Sequence, residues 1–379
     1  MIKRITSLIA LCCLSTLYSQ TVESESFLYD GELREYRLYI PAIYDGSQPV
    51  PLVFNLHGYG SNNVQQEAYG DFRPIADTAN FIIVHPQGLP DDFGTNHWNC
   101  FETSTVDDVG FISALIDTIY AHYNINGNRI YSTGMSNGGF MSYKLACLLS
   151  GRIAAVASVT GSITPPEYDD CITNHPMPAM QIHGTEDPTV PYGGSLLFMP
   201  VEEVVEHWVT FNECDAEPVV TEVPDADPSD GCTATHYLYE NGLLGSTVEF
   251  FKINGGEHTW PGSDFVTGVT NNDFNASVEI WRFFSQYTLN ELTSSIAENE
   301  IQPELFTIYP NPSSTNQTQI RFFMEGSKLV TVHNAMGQVV YQNQTTQKLL
   351  ELGGLSGSGM YFVSVTTGDQ TQTLKLIQN

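Results

Sequence analysis

The segment Ile130–Gly139 reads IYSTGMSNGG and decides the fold. Its first residues suit a buried strand, glycines follow, and helical periodicity begins after Gly138. The segment therefore predicts a strand, a sharp turn and a helix, with Ser136 at the turn. The spacing from Gly134 through Ser136 to Gly138 is that of a nucleophile elbow, which lifts a serine hydroxyl above the edge of a sheet.

Short apolar strands alternate with amphipathic helices on both sides of this segment, up to residue 289. This alternation predicts an α/β fold with a mostly parallel sheet that helices cover on both faces. The predicted strands are Val53–Leu56, Phe81–Val84, Ile130–Ser132, Ala154–Val159, Met180–Ile182 and Val248–Ile253.

An elbow serine needs a histidine base, and that histidine needs a carboxylate to hold its tautomer. In hydrolases with this elbow the acid and then the histidine follow the serine along the chain. The strand Met180–Ile182 leads into a polar turn, where we expect Asp187 to be the acid and Glu186 to be its competitor. The loop after the strand Val248–Ile253 contains His258, the expected general base.

Acyl transfer also needs two backbone N–H groups that point at the developing negative charge of an oxyanion. The residue after the elbow serine supplies one of them, which is Asn137 here. The loop after the early strand Val53–Leu56 contains two glycines that let the backbone approach a substrate. We expect the Tyr59 N–H in this loop to be the second donor.

The alternation of apolar strands and amphipathic helices ends near residue 290. Residues 290–304 are polar and predict a linker after a catalytic domain over residues 20–289. Residues 305–379 show short alternating strands with glycine turns, which predict a small C-terminal all-β sandwich domain.

Residues 1–19 are typical of a secretory signal peptide. Lys3 and Arg4 precede an apolar run that is too short to span a bilayer as a helix. A retained membrane anchor is the alternative, and we expect the mature chain to begin near Gln20.

Removal of residues 1–19 would leave five of the seven cysteines in the mature chain. Export would place them in an oxidising compartment, where cysteines pair and an odd one must stay unpaired. Cys214 and Cys232 flank a loop that shows neither a helical nor a strand pattern. A disulfide between them would hold this loop, and we expect that pairing. Cys147 with Cys171 is a further candidate pair.

The chain is strongly acidic, with 14 Lys and Arg against 43 Asp and Glu and a formal net charge of −29. Such a surface repels phosphate, so we expect neither a nucleic-acid partner nor stable membrane insertion. Residues 305–379 contain four basic and three acidic side chains, so the acidity belongs to the preceding region. It disfavours uronate-rich substrates and favours neutral acyl or aromatic groups.

Further motifs accompany the elbow in a fixed order between residues 30 and 288. They are HGYG at 57–60, HPQG at 85–88, WN at 98–99, VDDVGF at 106–111, GMSNGG at 134–139, HG at 183–184 with Asp187, and HTWPG at 258–262. Together they resemble the secreted polyhydroxybutyrate-depolymerase-like and feruloyl-esterase-like α/β-hydrolases.

The resemblance implies an α/β-hydrolase fold and hydrolysis of esters by a serine, without a metal ion or an organic cofactor. By position it supports Ser136, Asp187 and His258 as the catalytic triad. It also implies that Trp98 and Trp260 line the pocket for an acyl group or an aromatic ring. Packing in the core is the alternative for both rings.

Residues 305–379 resemble the C-terminal sorting domain of the type IX secretion system. The matching features are FTIYPNP at 306–312, NAMG at 334–337, Leu355, GMY at 359–361 and Lys375. The resemblance implies contact with a secretion machinery, export across an outer membrane and release or anchoring at the cell surface. A small carbohydrate-binding module is the alternative.

These features predict a secreted serine esterase with a polymer-borne substrate. The preferred substrates are feruloyl or acetyl esters of plant polysaccharide. Two alternatives are a polyhydroxyalkanoate or polyester depolymerase and a non-catalytic polysaccharide-binding protein on a hydrolase fold.

Overall fold

In the computed structural model the chain forms two compact units, with the boundary along the sequence between residues 295 and 296. It describes residues 20–265, 267–293, 305–309, 311, 313, 318–324, 326–334, 337–353, 355, 359–368 and 370–378. The predicted signal peptide over residues 1–19 lies outside the described residues.

One sheet organises the described part of the first unit. Its strands are β1 (Thr21–Tyr29), β2 (Glu32–Ile40), β3 (Val50–Leu56), β4 (Ile82–Pro86), β5 (Ile125–Met135), β6 (Ala155–Val159), β7 (Ala179–Gly184), β8 (Val219–Glu222), β9 (Thr233–Tyr239) and β10 (Val248–Asn254). The strand order is β1-β2-β4-β3-β5-β6-β7-β10-β9-β8. The six central strands, from β4 to β10, run parallel. The strands at both edges are antiparallel.

Helices cover both faces of this sheet. They are α1 (Asn63–Tyr69), α2 (Arg73–Ala79), α3 (Asp108–His122), α4 (Asn137–Leu148), α5 (Pro165–Asp170), α6 (Val201–Phe211), α7 (Ala276–Phe284) and α8 (Leu289–Thr293). Along β3, Leu52 and Phe54 enter one apolar cluster with α3, α4 and α6, and Val53 enters a second cluster with α2 and α7. Alternation of this kind is expected when both faces are buried. The predicted α/β class is confirmed.

The edge strands show little of the apolar–polar alternation that identifies a strand in a sequence. β1 is largely exposed on both faces, and all four residues of β8 are exposed. An edge strand needs no buried apolar face, so its alternation is weak. This explains why the segment between Cys214 and Cys232 looked structureless in the sequence, although β8 lies within it and pairs with β9.

The predicted linker begins too early. Residues 290–293 belong to α8, and the Leu292 side chain is buried in the second apolar cluster. The apolar positions Leu289 and Leu292 are three residues apart, as they must be to share one face of a short helix. Residues 294–304, the rest of the predicted linker, lie outside the described residues.

The second unit contains only strands in its described part. They are β11 (Phe306–Tyr309), β12 (Thr318–Phe322), β13 (Lys328–Asn334), β14 (Val339–Thr345), β15 (Leu349–Leu352), β16 (Gly359–Thr367) and β17 (Gln370–Gln378). They form the antiparallel sheets β11-β12-β15 and β14-β13-β16-β17. Both sheets contribute to one apolar core, which confirms the predicted all-β C-terminal domain.

Among the described residues, no helix combines the length and the apolar character needed to cross a membrane.

The elbow requires glycine because other backbone segments approach it closely. A Cβ atom added to Gly138 would lie 2.1 Å from the Leu56 carbonyl oxygen, and one added to Gly134 would lie 2.5 Å from the same atom. Neither distance allows a methyl group without movement of the backbone. Ser136 between them has φ 54° and ψ −119°, a strained conformation for a residue other than glycine.

We predict that Gly138→Ala lowers the free energy of unfolding by at least about 2 kcal/mol, because the methyl group has no space beside Leu56. In an unhindered helix the same change would stabilise the chain by up to about 1 kcal/mol. Denaturant unfolding of both proteins measures the difference. The control is Gly193→Ala, where an added Cβ meets nothing within 4 Å. Equal stability of Gly138→Ala and the unmodified chain would contradict the packing described for the elbow.

Candidate active site

Ser136 lies between the end of β5 and the start of α4. Its N–H donates to the Val159 carbonyl oxygen at 2.8 Å, which ties the elbow to the neighbouring strand β6. Among the described residues, the Ser136 hydroxyl has no hydrogen-bond partner. Ser136 lines a cavity of about 1110 Å³, so its hydroxyl is free to meet a ligand there.

Asp187 and His258 meet because β7 and β10 are parallel neighbours. Asp187 follows β7, His258 follows β10, and the carboxyl ends of parallel strands lie at one edge of the sheet. His258 Nδ1 lies 2.7 Å from Asp187 Oδ2. A carboxylate accepts this bond, so Nδ1 carries the proton and Nε2 is left to act as a base. The competing acid, Glu186, is exposed.

Two backbone groups and a second histidine also hold the Asp187 carboxylate. Oδ1 accepts the N–H groups of Thr189 and Val190 at 2.8 and 2.9 Å, and His183 Nε2 lies 3.3 Å from Oδ2. Burial raises the pKa of Asp187, but the hydrogen bonds from His183 and His258 outweigh burial and hold that pKa well below its ordinary value. Asp187 is therefore ionised at neutral pH.

The tautomer of His183 is set by its neighbours. The Gln181 side-chain amide donates to His183 Nδ1 at 3.0 Å, which leaves the ring proton on Nε2. From there the ring donates to the Val190 carbonyl oxygen at 2.9 Å and faces Asp187. Two sequence features distinguish His183 from other strand-end histidines: the HG motif at 183–184 and its position four residues before Asp187.

The loop after β3 lies directly against the elbow. A Cβ atom added to Gly58 would lie 3.4 Å from Ser136 Cβ. The N–H groups of Tyr59 and Asn137 have no hydrogen-bond partner among the described residues. Two unpaired donors therefore flank Ser136, as an oxyanion site requires.

His57 orients the peptide that carries the Tyr59 N–H. Its Nε2 accepts the Gly88 N–H at 2.9 Å, so its Nδ1 carries the proton and donates to the Gly58 carbonyl oxygen at 2.8 Å. The C=O of Gly58 and the N–H of Tyr59 share one planar trans peptide, so they point in opposite directions. Burial lowers the pKa of His57 to about 4, which keeps the ring neutral and this tautomer in place.

The cavity in front of Ser136 combines apolar walls with carboxylates. Two apolar side chains at its rim are almost fully exposed, Phe93 at 92 % and Leu196 at 99 %. Its larger apolar and aromatic lining residues are Tyr59, Phe93, Phe101, Phe140, Leu148, Leu196, Leu197 and Phe198. Its charged lining residues are Asp91, Asp92, Glu102, Lys144, Glu167 and Asp170. No group of three or more His, Cys, Asp or Glu residues in the described part of the chain is arranged to hold a metal ion.

Residues 34–190 match the family model described as esterase PHB depolymerase. A probable feruloyl esterase C of Aspergillus niger is 30 % identical over 234 residues, which cover 60 % of this chain and 77 % of that protein. The chain belongs to this family of esterases. Feruloyl esterase D of Neurospora crassa is 27 % identical over 270 residues, which cover 68 % of this chain and 83 % of that protein.

The esterase is thus an α/β-hydrolase and a carboxylic ester hydrolase. The solved acetyl xylan esterase from Aspergillus awamori shares its fold, with a TM-score of 0.50 and 12 % identity over 70 % of this chain and 99 % of that chain. Residues 307–379 match the secretion system C-terminal sorting domain. The esterase is therefore a secreted or cell-surface protein.

Neither predicted pocket tryptophan of the esterase lines the cavity. Trp98 is fully buried and donates its indole N–H to the His57 carbonyl oxygen at 2.9 Å. Trp260 is 2 % exposed and donates to Ser277 Oγ at 3.2 Å. Both rings fill the core and satisfy buried acceptors, so the prediction that they line the pocket is wrong.

Trp98 instead supports the elbow through its backbone. The Asn137 side chain accepts the Trp98 N–H at 2.6 Å and donates to the Trp98 carbonyl oxygen at 3.0 Å. These two bonds join Asn137, the residue after Ser136, to the segment of residues 98–100, which reaches the cavity at Cys100. The Trp98 ring, which the sequence predicts to contact a ligand, is therefore part of the core that supports the site.

The predicted disulfide is also wrong. Cys214 and Cys232 both carry free thiols in the described part of the chain, and Cys147 is bonded to Cys171. Asp215 N–H donates to the Glu240 carbonyl oxygen, so Cys214 lies beside the end of β9, whereas Cys232 directly precedes the start of that strand. A strand of this length separates them by about 20 Å, and a disulfide needs Cα atoms within about 7 Å.

We predict that the double substitution Cys147→Ser and Cys171→Ser lowers the free energy of unfolding by about 3 kcal/mol, because the bond closes a loop across 24 positions. Denaturant unfolding of residues 20–379 under non-reducing conditions measures the loss, and Cys214→Ser is the control. Thiol titration of the denatured, non-reduced chain should label Cys100, Cys214 and Cys232. Labelling of Cys147 or Cys171 would contradict the assigned bond.

Proposed function

We propose that the chain is a serine esterase in which Ser136, His258 and Asp187 form the catalytic triad and hydrolyse feruloyl or acetyl esters of plant polysaccharide. The observation that carries the proposal is the 2.7 Å bond between His258 Nδ1 and Asp187 Oδ2, at the sheet edge that also carries Ser136. That bond gives His258 the tautomer of a general base.

The reaction follows from the protonation states of these groups. His258 Nε2 takes the Ser136 hydroxyl proton while Ser136 Oγ attacks the ester carbonyl carbon. The N–H groups of Tyr59 and Asn137 stabilise the resulting oxyanion. When the tetrahedral intermediate collapses, the bond to the alcohol oxygen breaks, the alcohol leaves with the proton from His258, and an acyl-enzyme remains. A water molecule, deprotonated by His258 Nε2, then attacks the acyl carbon. The bond from that carbon to Ser136 Oγ breaks, Oγ takes back the proton from His258, and the acid leaves.

The substrate class is supported by the relatives and by the cavity. The two curated relatives described above are named as feruloyl esterases. The cavity presents aromatic walls to an acyl group and several carboxylates around them, which suits a neutral ester better than an anionic one. The sorting domain fits an enzyme that meets a polymer outside the cell.

A polyester depolymerase is the second candidate. It is supported by the name of the matching family model and by the exposed apolar rim of Phe93, Leu196 and Leu197. Such a rim could contact the surface of an apolar polymer. The non-catalytic alternative has no support, since the chain belongs to a family of esterases.

Substitution Ser136→Ala tests the proposed nucleophile. Hydrolysis of p-nitrophenyl acetate should fall by about 10⁴-fold or more, because the alanine cannot form the acyl-enzyme. Ser47→Ala changes an exposed serine and should leave the rate unchanged. Equal rates for Ser136→Ala and the unmodified enzyme would refute the role of Ser136.

Product release separates the two candidate functions. The proposed esterase should release ferulate and acetate from polysaccharide but no 3-hydroxybutyrate from its polyester, and the reverse pattern would favour the depolymerase.

His57 should act as a positioning residue for the oxyanion site. We expect His57→Ala to lower kcat about 10- to 100-fold with little change in KM, because the Tyr59 N–H loses its fixed direction. His57→Asn should recover part of kcat, since its amide N–H can replace the donor at Nδ1. Steady-state kinetics well below the unfolding temperature of each variant provide the test. A rise in KM at constant kcat would show that His57 affects substrate binding and does not contribute to stabilising the transition state.

A further inference from the structure

A network of buried hydrogen bonds connects α4 with the acid of the proposed triad. The Tyr143 hydroxyl donates to Gln181 Oε1 at 2.7 Å, and the Gln181 amide nitrogen lies 3.0 Å from His183 Nδ1. His183 Nε2 lies 3.3 Å from Asp187 Oδ2, the oxygen that also accepts the proton of His258 Nδ1. The helix that begins directly after the elbow is thus linked through side chains to the acid.

Each donor and acceptor in this network has a fixed role. The Gln181 amide nitrogen also donates to the Gly161 carbonyl oxygen at 2.9 Å, and a carbonyl can only accept. This contact turns the amide oxygen toward Tyr143 and a second amide N–H toward His183. Tyr143, Gln181 and His183 are each at most 1 % exposed, so bulk water offers no alternative partners. The ring proton of His183 is therefore held on Nε2, the nitrogen that faces Asp187.

His183 also closes a ring of hydrogen bonds around the loop that carries the acid. Its Nε2 lies 2.9 Å from the Val190 carbonyl oxygen, and the Val190 N–H donates to Asp187 Oδ1 at 2.9 Å. Asp187 Oδ2 faces the same ring nitrogen, so His183 holds both the carboxylate and the far end of its loop. Without His183, residues 187–190 would lose this connection to β7, and the Val190 N–H would be held less firmly at the carboxylate.

Two histidines act on the charge of Asp187. Burial raises the pKa of Asp187, and the hydrogen bonds from His183 and His258 lower it by more than burial raises it. Both rings meet the carboxylate at Oδ2, so each N–H stabilises part of the negative charge that the other would otherwise meet. A change at His183 should therefore alter the electrostatic effect of Asp187 on His258.

Charged groups on the neighbouring elements have partners of their own. Lys252 lies opposite His183 in the register of β7 and β10, and its Nζ donates to Glu202 Oε1 at 2.9 Å. Tyr192, whose ring centroid lies 6.2 Å from that of His183, donates its hydroxyl to the same Glu202 oxygen at 2.8 Å. These three groups form a cluster of their own beside His183.

Two further carboxylates lie next to the triad in the sequence. Glu186, which precedes the acid, is exposed to solvent. Glu257, which precedes the base, accepts the Val269 N–H at 3.3 Å. Solvent screens the first charge, and a hydrogen bond already stabilises the second. Among these neighbours, His183 is thus the one in direct contact with the carboxylate that binds His258.

We propose that His183 is a positioning residue of the reaction, whose Nε2–H holds Asp187 against His258 and limits how far that carboxylate raises the basicity of His258. Gln181 and Tyr143 keep the His183 ring in the tautomer that this role requires. The inference rests on the proposed function, in which Asp187 and His258 belong to the triad. It extends the functional unit from the triad to a network that ends on the helix after the nucleophile.

Substitution His183→Leu tests this role. The kcat for p-nitrophenyl acetate should fall about 10- to 100-fold, with KM changed less than about twofold, because Asp187 is held less firmly. The acid limb of the pH profile of kcat/KM reports the ionisation of the general base. This limb should move to higher pH, because the full negative charge of Asp187 then acts on His258. His183→Gln places an amide N–H near the position of Nε2 and should recover part of the kcat and of the original limb.

Tyr143→Phe tests the far end of the network with a smaller change. It removes the hydroxyl that orients the Gln181 amide, so kcat should fall about two- to fivefold, as expected for one weakened hydrogen bond, and the acid limb should move in the same direction. Tyr131→Phe is the matched control, because it removes an equally long bond, from the Tyr131 hydroxyl to the Tyr287 carbonyl oxygen at 2.7 Å, in the second apolar cluster. The control should leave kcat and the acid limb unchanged.

Each result supports or overturns the inference. An unchanged kcat, or an acid limb at the same or a lower pH in His183→Leu, would overturn it, and so would equal effects of Tyr143→Phe and Tyr131→Phe. If denaturant unfolding shows that His183→Leu does not fold, His183→Gln and the two tyrosine variants decide in the same way. An inactive Ser136→Ala together with a fully active His183→Leu would overturn this inference and leave the proposed triad intact. A fully active Ser136→Ala would overturn both.

Discussion

The close approach of the Leu56 carbonyl to the start of α4 is the constraint on which the site depends. It requires glycine at positions 134 and 138, and it brings the loop after β3 against Ser136. The contact lies at the start of α4, and Phe140, Lys144 and Leu148 on this helix line the cavity together with Ser136. One steric requirement thus positions the candidate nucleophile, a candidate oxyanion donor and one wall of the cavity. A change in that packing would disturb all three, because no side chain at the site can compensate for a displaced backbone.

Hydrogen bonds determine which ring nitrogen carries the proton in three histidines around the site. The Gly88 N–H assigns the tautomer of His57, the Gln181 amide assigns that of His183, and Asp187 assigns that of His258. His57 and His183 bond backbone carbonyls, whereas His258 Nε2 has no hydrogen-bond partner among the described residues. A buried ring with a fixed tautomer acts as a rigid donor and acceptor, so the peptide of Tyr59 and the carboxylate of Asp187 are held before any substrate arrives.

Sequence reasoning succeeded where chain order and local spacing determine the structure. The elbow, the parallel strands and the meeting of Asp187 with His258 all follow from residues that lie at the ends of predicted strands. It failed where the outcome depends on contacts between distant segments. The burial of Trp98 and Trp260 and the free thiols of Cys214 and Cys232 depend on tertiary packing. The further candidate pair, Cys147 with Cys171, is the one that forms. The edge strands β1 and β8 escaped notice because an exposed strand needs no apolar alternation.

The central claim is that Ser136 is a nucleophile activated by His258, and covalent trapping tests it most directly. The chain would be incubated with diethyl p-nitrophenyl phosphate, and the modified peptide would be located by mass spectrometry. We predict a single diethylphosphoryl group on Ser136, and a much slower modification when His258 is replaced by alanine. An unmodified Ser136, modification of another residue, or an equal rate without His258 would contradict the claim.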